Sequence, residues 1–69
     1  MNKANEKKVH FSFEYNDGSE WCFDGTFEGK DHEIAANVYM VCRGTLMVSG
    51  ANKSTAYNEE GFPICSYIK

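Results

Sequence analysis

Three residues whose side chains bind transition metals, His10, Cys22 and Cys65, fall on predicted strands where they could share the outward face of a sheet. Imidazole and thiolate ligands suit zinc, and a zinc site needs three or four of them. The three residues come from three different strands, however, and none has the short ligand spacing of a zinc motif. Scattered His and Cys residues on a sheet are usually ordinary surface residues. We therefore predict no metal site and no cofactor.

Nucleophilic catalysis needs a Cys or Ser that a neighbouring base activates, and the sequence offers no such pair. It contains no G-x-S-x-G, no phosphate-binding glycine loop and no H-E-x-x-H. A chain of 69 residues also has little room for a concave substrate site. Cys42 falls on the inward stripe of a predicted helix, as a small core residue. We predict that the protein is not an enzyme.

Carboxylates are concentrated in one part of the chain. Between residues 14 and 33, seven acids are opposed by Lys30 alone, an excess of six negative charges in a chain whose net charge is −3. In a structural interpretation these acids solvate a hairpin. In a functional interpretation they form a surface that fits a positively charged groove. The candidate partner-binding residues are Glu14, Asp17, Glu20, Asp24, Glu28 and Asp31.

Most of these acids lie on a predicted β-hairpin. Apolar and polar residues alternate over residues 9–15 and again over residues 20–28, and Asn, Asp, Gly and Ser at 16–19 are turn residues. Directly opposed residues lie on the same face of a sheet. A two-residue Asp17–Gly18 loop would set Tyr15 opposite Glu20 and would therefore mix apolar and polar residues on one face. We therefore predict an odd loop of three or five residues. The predicted pairs are Tyr15 with Trp21 and Phe13 with Phe23.

A helix is predicted from Asp31 to about Val48, followed by Gly50 as its end. Asp31 would serve as the N-cap or as a first-turn acid that interacts favourably with the helix dipole. One stripe of this helix should cover the aromatic face of the sheet. It comprises Ile34, Val38, Val41, Cys42, Thr45 and Val48.

The outer face of the helix is unusually apolar, with a single charge over its last three turns. Methionine adapts well to contact surfaces, and contiguous exposed apolar area tends to mark an interface. Burial of these side chains within the monomer is the equal alternative. The candidate partner or dimer contacts are Tyr39, Met40, Arg43, Gly44 and Met47, with His32 and Leu46 at the border.

A second hairpin is predicted from residues 53–57 and 62–68, closed by a three-residue loop in which Gly61 takes a positive φ. Pro63 favours an edge strand. This loop would pair Ala56 with Ile64 and Thr55 with Cys65. It would turn Phe62, Ile64 and Ile68 inward and Tyr57, Cys65 and Tyr67 outward.

The elements together predict an α+β fold in the order β-β-α-β-β, with a four-stranded antiparallel sheet and one helix packed on one face. Residues 1–8 are predicted to form a flexible basic tail and residues 9–69 a single domain. The amino end has no apolar stretch of a leader or membrane span, and three unpatterned cysteines indicate free thiols. We expect a cytoplasmic protein with no membrane partner.

We do not expect nucleic acid as a partner, although Tyr57 and Tyr67 on an exposed sheet face could stack on bases. The same face would carry acids that repel phosphates. By size, acidity and sheet-plus-helix plan, the chain resembles the small accessory proteins of phages and mobile elements, including anti-CRISPR and anti-restriction inhibitors. That resemblance covers no specific residues.

The resemblance and the charge pattern lead to one functional expectation and one alternative. We expect a non-enzymatic protein-binding module, of the inhibitor kind, that blocks a basic, nucleic-acid-handling site on a host protein with its acidic surface. The alternative is a structural homo-oligomer, in the simplest case a homodimer, that assembles through the outer helix face and uses its acids only for solubility.

Overall fold

The computed structural model describes residues 6–69 and confirms the predicted fold class. The elements are β1 (Glu6–Glu14), β2 (Glu20–Glu28), α1 (Asp31–Ser49), β3 (Lys53–Tyr57) and β4 (Pro63–Ile68). The four strands form one antiparallel sheet in the order β2-β1-β3-β4. The helix lies on one face of this sheet, and no element of residues 6–69 packs on the other face.

Strand β1 begins earlier than the alternation predicts. The predicted tail covers residues 1–8, of which residues 1–5 lie outside the described part of the chain. Glu6 to Lys8 extend β1 because they pair with Thr26 to Glu28 at the end of β2. The basic residues Lys7 and Lys8 are therefore part of the sheet.

The loop of the first hairpin has the predicted odd length, but its register differs from the predicted pairs by two residues. The Tyr15 amide donates to the Ser19 carbonyl at 2.9 Å, and Gly18 takes a φ of 89°. A three-residue loop of this type needs its last residue in the left-handed region, which favours glycine. Gly18 therefore fixes Tyr15 and Ser19 as the closing residues. The observed pairs are Phe13 with Trp21 and Phe11 with Phe23.

The helix has the predicted ends. The Lys30 amide donates to the Glu33 carboxylate at 2.9 Å, Asp31 lies in the first turn, and Gly50 ends the helix with a φ of 81°. The predicted inward stripe is wrong at its end, where Leu46 is buried and Val48 is 85% exposed. The buried residues are Ile34, Val38, Cys42 and Leu46.

The four-residue spacing of this buried line explains the difference at Leu46 and Val48. Each step of four residues advances about 40° around a helix of 3.6 residues per turn. The buried line therefore winds around α1 by about 120° between Ile34 and Leu46. The straight stripe assumed for the sequence cannot reproduce this winding.

The second hairpin has the predicted loop but the opposite facing along β4. The Asn58 amide donates to the Phe62 carbonyl at 2.9 Å, and Gly61 takes a φ of 89°. The register then shifts by one residue between Tyr57 and Ala56, so that Ala56 pairs with Cys65 instead of Ile64. A one-residue slip turns every later side chain to the other face. Cys65 and Tyr67 consequently pack against the core, whereas Phe62, Ile64 and Ile68 are exposed.

The core lies between α1 and the middle of the sheet. Phe11 and Phe13 are fully buried, and Phe13 stacks on Trp21 with ring centroids 4.7 Å apart. The Trp21 indole N–H donates to the Tyr15 hydroxyl at 2.7 Å, and that hydroxyl donates to the Ser49 carbonyl at 3.2 Å. The first hairpin is thereby tied to the carboxyl end of the helix.

Candidate functional site

The sheet has two faces of very different composition. Odd-numbered residues of β1 point toward α1 and are buried from Val9 onward, and even-numbered residues of β1 and β2 point away from it. We call the second side the open face. On β1 and β2 it carries Glu6, Lys8, His10, Ser12, Glu14, Glu20, Cys22, Asp24, Thr26 and Glu28. On β3 it adds Lys53, Thr55 and Tyr57.

Carboxylates oppose each other at both ends of the β1–β2 ladder. Glu14 pairs directly with Glu20, and Glu6 pairs directly with Glu28. Side chains in such positions have Cβ atoms roughly 5 Å apart, where like charges are unfavourable. On its other side Glu14 is opposite Lys53 of β3. Glu20 lies on the edge strand, where no strand of residues 6–69 supplies such a neighbour.

A polar pair occupies the middle of the same ladder. The His10 Nδ1 atom lies 2.7 Å from an Asp24 carboxylate oxygen, and both side chains are exposed. The Tyr57 ring lies 6.2 Å from the His10 ring. This row links β2, β1 and β3 across the open face.

Four of the six predicted acidic residues come together on the open face: Glu14, Glu20, Asp24 and Glu28. The other two lie elsewhere. Asp31 is in the first turn of α1, on the covered side of the sheet. Asp17 is in the β1–β2 loop, where its carboxylate accepts hydrogen bonds from the Ser19 hydroxyl at 2.6 Å and the Ser19 amide at 2.9 Å. These bonds lower the Asp17 pKa.

Sequence reasoning missed three charged residues of the open face. Glu6 and Lys8 were assigned to the tail, and Lys53 received no role. The alternation that identifies β1 breaks at Lys7, so that the sequence pattern gives no signal for Glu6 and Lys8. Lys53 becomes recognisable only through the β1–β3 register, because the two residues that pair there are 39 positions apart in the chain.

The outer face of α1 exposes its predicted contact residues. Met40 is 66% and Met47 is 55% exposed, and Arg43 and Gly44 are exposed as well. Tyr39 is partly covered, because its ring contacts Tyr67 of β4 at 5.9 Å. Val48 extends this apolar surface, whereas the predicted border residue Leu46 is buried. The alternative of burial within the monomer therefore fails for both methionines.

The predicted ligand candidates are separated by the sheet. His10 and Cys22 lie on the open face, while Cys65 points to the covered face, so that the three do not converge. Among the described residues, no three His, Cys, Asp or Glu side chains are placed to hold a metal ion. Burial raises the pKa of the Cys42 thiol to about 11, so that this cysteine stays protonated at neutral pH.

Comparison with family models, curated proteins and solved structures finds no match to this chain. Among residues 6–69, no helix has the length and apolar character needed to cross a membrane. Inferences about function therefore rest on the chain's own geometry and charge.

Proposed function

We propose that this chain is a non-enzymatic protein-binding module whose open face recognises a basic surface on its partner. The observation that carries the proposal is the direct pairing of Glu14 with Glu20, on a face that also carries Asp24 and Glu28. Like charges in opposed positions cost a free sheet roughly 0.2–1 kcal/mol each. A cationic partner would remove that cost on binding, which is a reason for a small protein to keep such pairs.

The proposal extends to the kind of partner. A basic site that handles nucleic acid presents Lys and Arg side chains at phosphate spacing, and carboxylates on a rigid sheet can occupy it in place of phosphates. We therefore propose an inhibitor of the anti-CRISPR or anti-restriction kind, acting in the cytoplasm of a host cell. Its support is the size of the chain, its net charge of −3 and the carboxylates of the open face.

The test is capture of partners from a nuclease-treated host lysate with three forms of the protein. These are the wild type, the variant Glu14→Gln/Glu20→Gln and the control Glu59→Gln/Glu60→Gln. Both variants change the net charge by two units, but Glu59 and Glu60 lie in the β3–β4 turn. Each capture is done at about 0.05 M and at about 0.5 M salt, because exposed charges are largely screened at the higher concentration.

A basic partner should be retained at low salt by the wild type and the control, and depleted with Glu14→Gln/Glu20→Gln. If both variants retain the same partner as the wild type at both salt concentrations, the carboxylates of β1 and β2 do not carry binding and the proposal is wrong.

A second candidate function is a structural homo-oligomer that assembles through α1. The exposure of Met40, Met47 and Val48 favours it, because exposed apolar side chains on one helix face match a two-fold helix pairing. Met40→Glu discriminates between the two functions. If the protein is an oligomer built on this face, Met40→Glu should dissociate it in sedimentation velocity. The control Glu33→Gln changes the first turn of α1, away from this face, and should leave the oligomer intact. If the protein is a monomeric inhibitor, Met40→Glu should keep its partner.

A further inference from the structure

The outer edge of β2 is long, regular and unpaired. Its nine residues pair with β1 without interruption from Glu20 to Glu28, and the strand contains no proline and no bulge. Within residues 6–69, no strand lies on its other side. Proteins usually protect an edge of this kind, because its free amide and carbonyl groups are a template for another strand.

The backbone groups that point outward can be assigned from the hydrogen bonds of β1. The Tyr15 amide donates to the Ser19 carbonyl, on the β2 side of the strand. The Glu14 carbonyl accepts from the Asn52 amide at 2.8 Å, on the β3 side. Bonding direction alternates along an antiparallel strand. The odd-numbered residues of β2 therefore bond to β1. The amides and carbonyls of Cys22, Asp24 and Thr26 point away from the sheet.

The side chains along this edge form two rows. On the open face, the row contains Glu20, Asp24 and Glu28. On the covered face, the row contains Trp21, Phe23 and Phe27. Trp21 is 37% exposed and the two phenylalanines are partly exposed, because α1 covers the centre of the sheet and leaves β2 at its margin. An added strand would meet acids on one side and aromatic rings on the other.

A second copy of the chain offers this edge no basic side chain, because Glu20–Glu28 contains no Lys or Arg. When two β2 strands are related by a two-fold axis, acids oppose acids if the axis passes through Cys22 or Asp24. Glu20 pairs with Glu28 when the axis passes through Asp24, and with Asp24 when it passes through Cys22. Directly opposed like charges are destabilising. If the axis passes through Phe23 or Gly25, the acids oppose Cys22 and Thr26 and stay without a cation. Charge complementarity instead requires basic side chains opposite the acidic row.

We propose that the outer edge of β2 receives an extended segment of a partner protein, in which Lys or Arg alternates with apolar residues, as a fifth strand of the sheet. The inference rests on the proposed function, because it names the part of the basic partner that is bound. Main-chain hydrogen bonds would supply affinity, and the two side-chain rows would supply selectivity. Basic residues would lie opposite Glu20, Asp24 and Glu28, and apolar residues would extend the Trp21 row.

The probe is a blocked nonapeptide of alternating lysine and valine, compared with a peptide of the same composition whose lysines are contiguous. Trp21 is the only tryptophan, so its fluorescence reports binding at this edge. The alternating peptide should bind about tenfold more tightly than the contiguous one. Its binding should slow amide hydrogen exchange at Cys22, Asp24 and Thr26, which no hydrogen bond to β1 protects in the free protein.

A variant separates the backbone edge from its charge. Cys22→Pro removes one outward amide and leaves every acid in place, and proline is tolerated where an edge amide faces solvent. It should weaken binding of the alternating peptide about tenfold, while Cys22→Ser, which keeps the amide, should change it less than about twofold. Circular dichroism establishes that both variants are folded. Should Cys22→Pro not fold, the exchange rates of the wild type decide the question.

Three results would overturn the inference: equal binding of the two peptides, unchanged exchange at the three amides, or a dimer of the wild type that Cys22→Pro dissociates. The proposed function fails separately. If Glu14→Gln/Glu20→Gln releases a captured partner and Cys22→Pro does not, the partner contacts the open face and the edge inference alone is wrong. If neither variant releases it, the proposed function is wrong too.

Discussion

The two edge strands of the sheet are protected against unwanted pairing in different ways. Strand β4 begins with Pro63, which has no amide to donate, and its register is interrupted by a bulge next to that proline. Strand β2 has neither feature over its nine residues and carries instead three acids on its open face. Both devices are common on natural sheet edges.

The difference between the edges concerns which partners are excluded. A proline and a bulge obstruct any added strand, whatever its sequence. A row of acids repels another copy of itself but attracts a strand with basic side chains. The β4 edge is therefore obstructed at its beginning for any strand, whereas the β2 edge is selective by charge. This selectivity is where the proposed function and the edge inference meet.

The largest expected effect concerns the aromatic support of β2. Phe13→Ala removes a fully buried ring that stacks on Trp21 and Phe23. Such truncations cost about 3–5 kcal/mol, a large share of a small domain's total stability. Urea denaturation should show that loss, or no cooperative transition at all. The control is Ile64→Ala on β4, where the exposed side chain should matter less than about 0.5 kcal/mol. Equal effects of the two variants would contradict the placement of Phe13 in the core and of Ile64 at the surface.

The next effect is on self-association. The triple variant Glu20→Thr/Asp24→Thr/Glu28→Thr removes the acids of β2 and leaves a regular strand of high β-propensity. Sedimentation velocity should show concentration-dependent assembly that the wild type does not show at the same concentration. Pro63→Thr on β4 is the matched control and should assemble less, because the bulge remains. A triple variant that sediments like the wild type would show that charge does not protect this edge.

A smaller effect is expected on the stability of the free protein. Glu20→Gln relieves the repulsion between Glu14 and Glu20 and should stabilise the fold by about 0.2–1 kcal/mol at low salt, with less gain at high salt. Glu60→Gln in the β3–β4 turn should have almost no effect. Urea denaturation at two salt concentrations measures both. A loss of stability in Glu20→Gln would mean that Glu20 makes a favourable contact and that the opposed pair is not repulsive.

The smallest effect distinguishes the two loops by pH. Hydrogen bonds from Ser19 lower the Asp17 pKa below its usual value of 3.8. In the second loop the equivalent acceptor is the uncharged Asn58 Oδ1, which accepts from the Glu60 and Phe62 backbone amides. A carboxylate with a depressed folded-state pKa stabilises the fold above its unfolded pKa, and this contribution is lost as pH falls through the folded pKa. The stability of the wild type relative to Asp17→Asn should therefore decline below about pH 4. Asn58→Asp should introduce the same dependence in the second loop. A wild-type advantage that does not change with pH would exclude a role for the Asp17 charge.

The sequence predicted the parts of the fold that depend on local chemistry. Alternation identified the first hairpin and an odd loop length, Gly61 indicated the three-residue loop of the second hairpin, and Gly50 ended the helix. The side chains of β1 and β2 could be assigned to the two faces of the sheet because a single regular ladder connects the two strands. Four of the six acids shared a face for the same reason.

The errors lie where tertiary contacts override the local pattern. The bulge beside Ala56 turned Ile64 and Ile68 outward, and nothing in residues 62–68 alone favours one register over the next. The buried line of α1 winds around the helix, so that Leu46 and not Val48 lies in the core. Lys53 joined the open face only through its pairing with Glu14, since strand order is not encoded in the local pattern.

The most direct test of the central claim is the affinity of the captured partner for the wild type, for Glu14→Gln/Glu20→Gln and for Glu59→Gln/Glu60→Gln, measured by calorimetry at low and high salt. We predict that neutralising Glu14 and Glu20 weakens binding about tenfold or more at about 0.05 M salt, that the control stays close to the wild type, and that the difference shrinks at about 0.5 M. Equal affinities of the three proteins at low salt would contradict recognition through the open face.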